Sequence, residues 1–343
     1  MKNQQNDFKE RMYFLFAHKW KYIVSIILTL FKSKNYKKGA VHTVTYIARE
    51  KDKTWIFGAK VRRLSQHSQL DARVHWNDKI KGIPDTDGYY HIYQNHFCRS
   101  LRRKPNIIFK KNIVMFTHPS WSKKYSKTHV VWGLNQADYV ICLNSNIKKM
   151  LIEDGVRPEI LKVIHIATSE KTFYPHERTG KGVVGLCSGF QIRKNPDLIF
   201  DIVKNMPQRE FLLLGSNWER YTKFDELSAL PNFTYLKDMD YEKFPEFYDK
   251  MDVFLSPSIL EGGPVPLLEA MMSNCVPVAS NTGFSTDIIT HGENGFIFDI
   301  NASYKEVIPL IEEAYNLKGN IRNTVLEHTW TNCSHKIDTL FNT

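Results

Sequence analysis

The apolar residues of the chain form short runs of strand length that alternate with longer stretches of helical periodicity. We predict strands at residues 54–57, 72–75, 91–93, 113–116, 139–143, 183–186, 210–215, 232–236, 253–255 and 276–279. Helices are predicted at residues 147–153, 196–204, 244–250, 265–273, 308–317 and 325–340. Strands that alternate with helices are typical of α/β proteins with parallel sheets.

The chain has 343 residues, which is more than one ordinary domain, and its apolar content of 42% is enough for real hydrophobic cores. One group of strands lies within residues 41–175 and a second within 183–325, and a polar, charged linker separates them. We therefore predict two Rossmann-like domains with these bounds, followed by a helical segment at 326–343.

Residues 1–40 form a basic extension with an amphipathic helical pattern. They hold nine Lys/Arg and two acids, a charge of +7; the whole chain carries +11, so the other 303 residues carry only +4. The apolar run of the helix is shorter than the ~20 residues of a membrane span. No small-residue cleavage site follows it, so a signal peptide is not expected. We expect residues 8–38 to bind an anionic membrane surface, or alternatively to pack on the protein itself.

The cysteines and the charge distribution limit the compartment and the partners. The five cysteines are scattered, odd in number and without metal-ligand spacing, which favours a reducing compartment. Because the basic excess is concentrated in the extension, we expect no nucleic-acid partner. The expected location is the cytoplasm, at the inner face of the cell membrane.

The stretch from Asp252 to Phe298 carries the clearest chemistry. A strand ends at Ser256, a loop of Glu261, Gly262, Gly263 and Pro264 follows, and a helix begins near Val265. Glycines let backbone N–H groups approach a ligand, and a helix N-terminus carries about half a positive charge. This combination suits a phosphate or a diphosphate. A βαβ packing unit with a surface pair of glutamates is the plain alternative.

Two glutamates in this stretch are eight residues apart, at Glu261 in the loop and Glu269 in the helix. At 1.5 Å per residue they are separated by roughly 12 Å. Carboxylates that flank one glycosidic bond lie about 5–9.5 Å apart, so this pair is too widely spaced for that role. The two groups could instead hold two points of one elongated, polyhydroxylated ligand.

The pattern of Ser256, Glu261, Gly262, Pro264 and Glu269 resembles the donor-binding signature of the retaining glycosyltransferases of family 4 (glycosyl transferases group 1). The resemblance implies the GT-B fold, with two domains that face a cleft and a last helix that returns to the first domain. It implies that Glu261 contacts the donor sugar, Glu269 binds the ribose, and the loop amides face the diphosphate. Two positions depart from the family pattern: Asn274 replaces the usual glycine and Asp287 the usual glutamate.

A second loop, residues 188–196, precedes a helix and supplies cations. In family 4 the corresponding loop carries an arginine and, five residues later, a lysine, which together neutralise the donor diphosphate. Lys194 matches the lysine, whereas Gly189 stands at the arginine position, and Arg193 is the expected substitute. The alternative for Arg193 is a solvated basic side chain.

In the first domain, the loop after the strand at 113–116 contains His118. Family 4 members commonly have a histidine here that faces the donor sugar, and His118 is our candidate; a structural histidine is the alternative. Asn95 and His96 are weaker candidates for the acceptor side. Asp78, Lys79, Arg102 and Arg103 are interpreted as solvated charges.

The sequence therefore predicts a hexosyltransferase of GT-B fold that moves a sugar from a nucleotide-diphosphate sugar to a glycan or lipid-linked acceptor, in cell-surface polysaccharide or glycolipid synthesis. Its site would comprise Glu261, Lys194 and His118 as catalytic groups, with Gly189, Arg193, Ser256, Gly262, Gly263, Pro264, Val265 and Glu269 for the donor. No metal or other cofactor is expected, since Lys194 and a helix N-terminus would neutralise the charge of the diphosphate. Two alternatives stay open: a sugar-nucleotide epimerase of GT-B architecture, and a non-catalytic partner subunit, which Gly189 would favour.

Overall fold

The computed structural model describes residue 27 and residues 39–343, except residues 55, 120–124 and 179 and the side chain of Ile56. The basic extension predicted at 1–40, with its membrane contact, lies almost entirely outside the described residues; Ile27 is helical. Among the described residues, no helix combines the length and the apolar character that a membrane span requires.

The described chain divides into two compact units. Unit 1 contains the residues up to Ile164 together with Trp330–Thr343, and unit 2 contains His165–Thr329. Residues 165–175, which the sequence analysis placed in the first domain, belong to unit 2. The reason is packing, because the Phe173 ring lies 5.9 Å from that of Tyr241 and 5.6 Å from that of Tyr248.

Unit 1 is built on a six-stranded sheet in the order β2-β1-β3-β4-β5-β6, with every neighbouring pair parallel. The strands are β1 (Thr43–Ala48), β2 (Asp71–Trp76), β3 (Gly88–His91), β4 (Lys111–Phe116), β5 (Tyr139–Cys142) and β6 (Leu161–Val163). Strands β1 and β6 were not predicted, and β3 ends two residues earlier than expected. The side chains of Tyr89 and Tyr90 are both buried, which fixes β3 as an interior strand.

The helices of unit 1 are α1 (Ile56–Gln66), α2 (Gln94–Arg103), α3 (Lys127–Leu134) and α4 (Ser145–Glu153). Helix α1 corrects the strand predicted at 54–57. Its buried Val61 and Leu64 are three residues apart, which is the spacing of a helix face. Helix α2 contains Asn95 and His96, which the sequence analysis considered for the acceptor side, and also Arg102 and Arg103.

Unit 2 has a second six-stranded parallel sheet, in the order β12-β11-β10-β7-β8-β9. Its strands are β7 (Val183–Cys187), β8 (Phe211–Leu214), β9 (Phe233–Leu236), β10 (Met251–Ser256), β11 (Val276–Ser280) and β12 (Phe296–Phe298). Its helices are α5 (Pro196–Asn205), α6 (Phe224–Ser228), α7 (Phe244–Tyr248), α8 (Val265–Met272), α9 (Ser285–Ile288) and α10 (Tyr304–Asn316). The strand order reverses between β7 and β10, and open α/β sheets bind ligands at the carboxyl ends of such strands.

The last helix, α11 (Trp330–Asn342), packs within unit 1 and begins five residues later than predicted. The Ser334 hydroxyl donates to the Leu64 carbonyl at 2.8 Å. The Asp338 carboxylate accepts from the Ser68 hydroxyl and the Gln69 amide, both at 2.7 Å. These bonds fix the end of the chain against the C-terminal end of α1 and the turn that follows it.

Candidate active site

The site is built from two loops that follow the strands on either side of the reversal point in unit 2. The loop after β7 contains Lys194, and the loop after β10 contains Glu261. A backbone hydrogen bond of 2.8 Å from the Ile259 amide to the Arg193 carbonyl joins them. The first loop ends at Asn195, which has a left-handed backbone (φ 58°) and turns the chain into α5 at Pro196.

Glu261 receives two cations, and both come from the other loop. Its Oε1 atom forms ion pairs with Lys194 Nζ and, at 2.8 Å, with Arg193 Nη1. Burial by itself would raise the pKa of this carboxyl, but the Lys194 and Arg193 charges outweigh burial and hold the pKa below its ordinary value. The carboxylate is therefore ionised at neutral pH, and the two predicted phosphate-binding cations are held beside the predicted sugar-binding group.

A third loop, after β11, supports the backbone of Glu261. The Thr282 hydroxyl accepts a hydrogen bond from the Glu261 amide at 3.1 Å. Gly283 has φ +65°, and a Cβ atom there would lie 2.9 Å from the Glu261 Cβ and 3.1 Å from the Pro264 Cδ. Glycine is required at Gly283 both by the backbone and by this close approach. The sequence did not predict this contact with Glu261.

The glycine loop leads into helix α8 at Val265, as predicted. Gly263 lies against the Phe284 ring, whose Cε1 would be 3.0 Å from an added Cβ. Pro264 and Pro266 have no N–H, and the Leu267 amide donates to the Pro264 carbonyl at 3.0 Å. The first turn of α8 therefore offers few backbone donors, and a diphosphate at this helix end would depend mainly on side-chain cations.

Glu269 lies inside α8 and is almost completely buried, at 2% exposure. Its Oε1 accepts from the Tyr241 hydroxyl at 2.6 Å and its Oε2 from the Tyr248 hydroxyl at 3.0 Å. Burial raises the pKa of Tyr248 well above its ordinary value, so this phenol remains a donor. The sequence did not identify the two tyrosines as partners, because they lie 28 and 21 residues before Glu269.

A pocket opens at the ends of β7 and β10. Its lining includes Ser188, Lys194, Ser256, Pro257, Ser258, Pro264 and Pro266. Ser256 ends β10, and its carbonyl accepts from the Ser280 hydroxyl at 3.2 Å. The structure thus brings Lys194, Ser256 and Pro264 of the predicted donor set to one pocket.

Gly189 does not need to be a glycine. Its φ lies outside the left-handed region, and an added Cβ would meet only the Ser216 hydroxyl at 3.3 Å and the Ser216 carbonyl at 3.7 Å. The glycine at the family's arginine position is therefore not imposed by the backbone. Arg193 brings a second cation to the same loop, and its role as a substitute for that arginine stays a prediction.

His118 follows β4 in unit 1, at the carboxyl end of the first sheet. Its carbonyl accepts from Gln94 Nε2 at 3.2 Å, and its ring lies 6.4 Å from the Tyr93 ring. Its contact with a donor sugar stays a prediction. His96, by contrast, is buried within α2, and burial together with the nearby Arg49 lowers its pKa to about 3. That burial argues against the acceptor-side role considered for His96.

Asp287, which departs from the family pattern, accepts from His165 Nε2 at 2.9 Å, and the His165 ring lies 6.0 Å from the Phe284 ring. No cluster of three or more His, Cys, Asp or Glu side chains suited to a metal ion occurs within the described part of the chain.

Comparison with known proteins finds a family model that matches most of unit 2. Residues 169–327 match the family model described as Glycosyl transferases group 1. The glycogen synthase of Mycoplasma mobile is 27% identical over 128 residues, which make up 34% of this chain. The matched stretch covers only 27% of that relative's length.

Solved structures resemble the whole described chain. Sucrose-phosphate synthase (tll1590) from Thermosynechococcus elongatus matches with a TM-score of 0.69 at 15% identity, over 88% of this chain and 98% of that one. Alr3699/HepE from Anabaena, in complex with UDP and glucose, matches with a TM-score of 0.65 at 15% identity, over 87% of this chain and 98% of that one. The protein thus has the two-domain GT-B fold, and its residues 169–327 match the glycosyl transferases group 1 family model.

Proposed function

We propose that the protein is a retaining glycosyltransferase of family 4, which transfers a hexosyl group from a nucleotide-diphosphate sugar to a glycan or lipid-linked acceptor. The observation that carries this proposal is the meeting of Lys194, Arg193 and Glu261 at the strand-order reversal of a glycosyl transferases group 1 domain. The complexes of Alr3699/HepE with UDP and UDP-glucose support a nucleotide-sugar donor for this type of fold.

The geometry suggests how the donor would be held. Lys194 and Arg193 are within ion-pair distance of one carboxylate, so a diphosphate that enters the pocket would compete with Glu261 for the same two cations. Their charge would then stabilise the leaving diphosphate, and the released Glu261 carboxylate would contact the sugar. Glu269, held by two phenols, would accept from the ribose hydroxyls.

In this proposal, front-face displacement explains how the sugar retains its configuration at the anomeric carbon. The acceptor oxygen forms a bond to the anomeric carbon while the bond from that carbon to the phosphate oxygen breaks, and the electron pair leaves with the diphosphate. The acceptor proton passes to a phosphate oxygen, so no protein nucleophile is needed. His118 is the unit 1 group that we propose for the donor sugar, and no metal ion is required in this scheme.

We further propose that the enzyme acts at the cytoplasmic face of the membrane, in cell-surface polysaccharide or glycolipid synthesis. The support is in the sequence, where residues 1–40 carry +7 of the total charge of +11. Vesicles of phosphatidylglycerol should sediment the full chain at low salt and release it at high salt. Failure to bind such vesicles at low salt would contradict this placement.

The central experiment is a thermal-shift panel of uridine, guanosine and thymidine diphosphates and their sugars. The nucleotides of one base should raise the melting temperature of the protein. The Lys194→Ala substitution should remove most of that increase. If no nucleoside diphosphate stabilises the protein, the donor site is refuted. Incubation of the selected sugar nucleotide alone, followed by nuclear magnetic resonance, tests the epimerase alternative, because conversion without an acceptor would support it.

A further inference from the structure

One hydrogen bond in unit 2 joins the first residue of that unit to helix α9. His165 Nε2 donates to Asp287 Oδ2 at 2.9 Å, although the two residues are 122 positions apart in the sequence. Both side chains are largely shielded from solvent, with exposures of 20% for His165 and 11% for Asp287. The His165 ring also packs 5.3 Å from the ring of His328. This hydrogen bond is therefore part of the packed interior of unit 2.

Phe284 connects this hydrogen bond to the glycine loop, residues 261–264. The His165 ring meets the fully buried Phe284 ring edge to face, at 6.0 Å. A Cβ atom added at Gly263 would lie 3.0 Å from Cε1 of that same ring and 3.5 Å from Cγ2 of Ile166, the residue after His165. The Gly263 backbone thus packs directly on Phe284 and beside Ile166. Because protein interiors are close-packed, a shift of the His165 segment would be transmitted to the glycine loop.

Helix α9, which contains Asp287, is tied to the same loop by hydrogen bonds. The Ser285 hydroxyl, at the start of this helix, donates a shared hydrogen bond to the carbonyls of Ser280 and Thr282, at 2.6 and 2.7 Å. The Thr282 hydroxyl in turn accepts from the Glu261 amide at 3.1 Å. Asp287 is therefore two residues from a short series of hydrogen bonds that ends at the backbone of Glu261.

The location of the pair indicates an indirect role. Among the described residues that line the pocket at the ends of β7 and β10, neither His165 nor Asp287 occurs. Their contacts instead lead to the backbone on either side of Glu261 and to Gly263. Misplacement of a catalytic group by about 1 Å can lower a rate by as much as 10²-fold. A side chain that fixes this loop can therefore affect turnover without touching the substrate.

We propose that His165 and Asp287 are positioning residues for glycosyl transfer, which hold the glycine loop through Phe284 and so set the position of the Glu261 carboxylate. This inference rests on the proposed function, in which Glu261 contacts the donor sugar. The cations proposed for the diphosphate, Lys194 and Arg193, belong to the loop after β7. Loss of the His165–Asp287 hydrogen bond should therefore affect turnover and leave affinity for the bare nucleoside diphosphate unchanged.

Substitutions at the two ends of the hydrogen bond test this proposal. His165→Phe keeps a ring beside Phe284 but removes the N–H donor, so turnover should fall about tenfold or more. His165→Gln keeps an N–H donor and should recover most of that turnover. The double variant His165→Phe/Asp287→Leu should lose no more turnover than His165→Phe alone, because both changes remove the same hydrogen bond. Calorimetry should find the same affinity for the nucleoside diphosphate in all of these variants.

His176→Phe is the matched control for His165→Phe. His176 is also a partly buried histidine of unit 2, and its Nε2 donates to the Met251 carbonyl at 2.8 Å. Met251 begins β10, whereas the glycine loop follows the other end of that strand. His176→Phe should lower the melting temperature, since it also removes a hydrogen bond, and it should keep the turnover of the parent protein.

Hydrogen–deuterium exchange reports on the glycine loop independently of activity. In the free protein, amides of residues 259–267 should exchange about tenfold faster in His165→Phe than in the parent, because a hydrogen bond to a charged group has an effect of that size. His176→Phe should leave these amides unchanged.

Unchanged exchange of these amides in His165→Phe would overturn the proposal, and so would an equal loss of turnover in His176→Phe. Turnover as low in His165→Gln as in His165→Phe would also contradict it. Failure of the proposed function is a separate result, in which the parent protein neither binds a nucleoside diphosphate nor transfers a sugar. In that case the exchange measurement alone decides whether His165 holds the glycine loop.

Discussion

At the scale of single residues, both glutamates that we propose for the donor are engaged by side chains of the protein. Glu261 is paired with Lys194 and Arg193, and Glu269 accepts from Tyr241 and Tyr248. The two sets of partners differ in chemistry, since one is cationic and the other neutral. Substitutions of the two glutamates should therefore have different effects on ligand binding.

Glu261→Gln should lower turnover at least tenfold and leave affinity for the bare nucleoside diphosphate equal to, or higher than, that of the parent protein. In the proposed scheme, the substitution would remove a carboxylate that competes with the diphosphate for Lys194 and Arg193. It would also remove the sugar contact that we propose for the transition state. Calorimetry with nucleoside diphosphate, beside a transfer assay, measures both quantities. Glu269→Ala serves as the contrast and should weaken nucleotide binding. Equal losses of nucleotide affinity in the two variants would mean that the donor lies in another orientation.

Lys194→Ala should weaken nucleoside-diphosphate binding about tenfold or more, because a hydrogen bond to a charged group contributes ~1.5–3 kcal/mol. The first turn of α8 is poor in N–H donors, so the backbone should compensate little for the loss. Lys204→Ala, at the exposed end of α5, is a control that should bind like the parent protein. Unchanged affinity for the nucleoside diphosphate in a folded Lys194→Ala variant would show that Lys194 does not bind the diphosphate.

At the scale of elements, the sequence predicted the strand, glycine loop, helix and strand of the β10–β11 unit to within two residues. Apolar runs bounded by Gly and Pro were the signal there. The same signal failed for α1, where an aromatic and β-branched start resembled a strand, and for short elements such as β12. The contacts of Tyr241 and Tyr248 with Glu269, and of Thr282 with Glu261, could not be predicted, because they depend on how separate elements pack.

Gly283→Ala tests whether the loop after β11 positions the donor loop. The new Cβ would lie 2.9 Å from the Glu261 Cβ, so the Glu261 loop must move, in addition to a left-handed backbone cost of about 1–2 kcal/mol. Turnover and donor affinity should both fall, and thermal stability should decrease.

Gly292→Ala is the matched control for that experiment. Gly292 also has a left-handed backbone, with φ +80°, but nothing lies within 4 Å of the added Cβ. This variant should lose stability without losing donor affinity. If Gly283→Ala and Gly292→Ala have the same donor affinity, the close approach of Gly283 to Glu261 does not affect donor binding.

At the scale of the whole molecule, buried histidines in unit 1 should make the protein sensitive to mild acid. Burial lowers the pKa of His91 and of His96 to about 3, well below the ordinary 6.5. Below pH 6.5 the unfolded chain binds protons at these rings that the folded chain does not bind. The free energy of unfolding should therefore fall progressively as the pH drops from 6.5 towards 3, and it should be fully recovered above that window.

Denaturant unfolding at pH 7 and at pH 5 measures this effect, because most ordinary carboxylates remain ionised across that interval. His96→Gln should reduce the difference in stability between the two pH values, whatever it does to stability at pH 7. His67→Gln, at an exposed position that follows α1, should leave the difference unchanged. If the free energy of unfolding depends on pH equally in the parent protein and in His96→Gln, His96 is excluded as a source of that dependence.

The path of the chain through the two units has a consequence for synthesis on the ribosome. Unit 2 is one uninterrupted segment, His165–Thr329, whereas unit 1 needs both its early strands and α11. The surface of unit 1 that α11 covers, where Phe341 would meet any side chain at Gly88, stays uncovered until the last residues emerge. Unit 2 can therefore complete its folding first, against the usual N-terminal-first order of domains. A chain that ends at Thr329 and is released from the ribosome should show a protease-resistant second unit and a protease-sensitive first one.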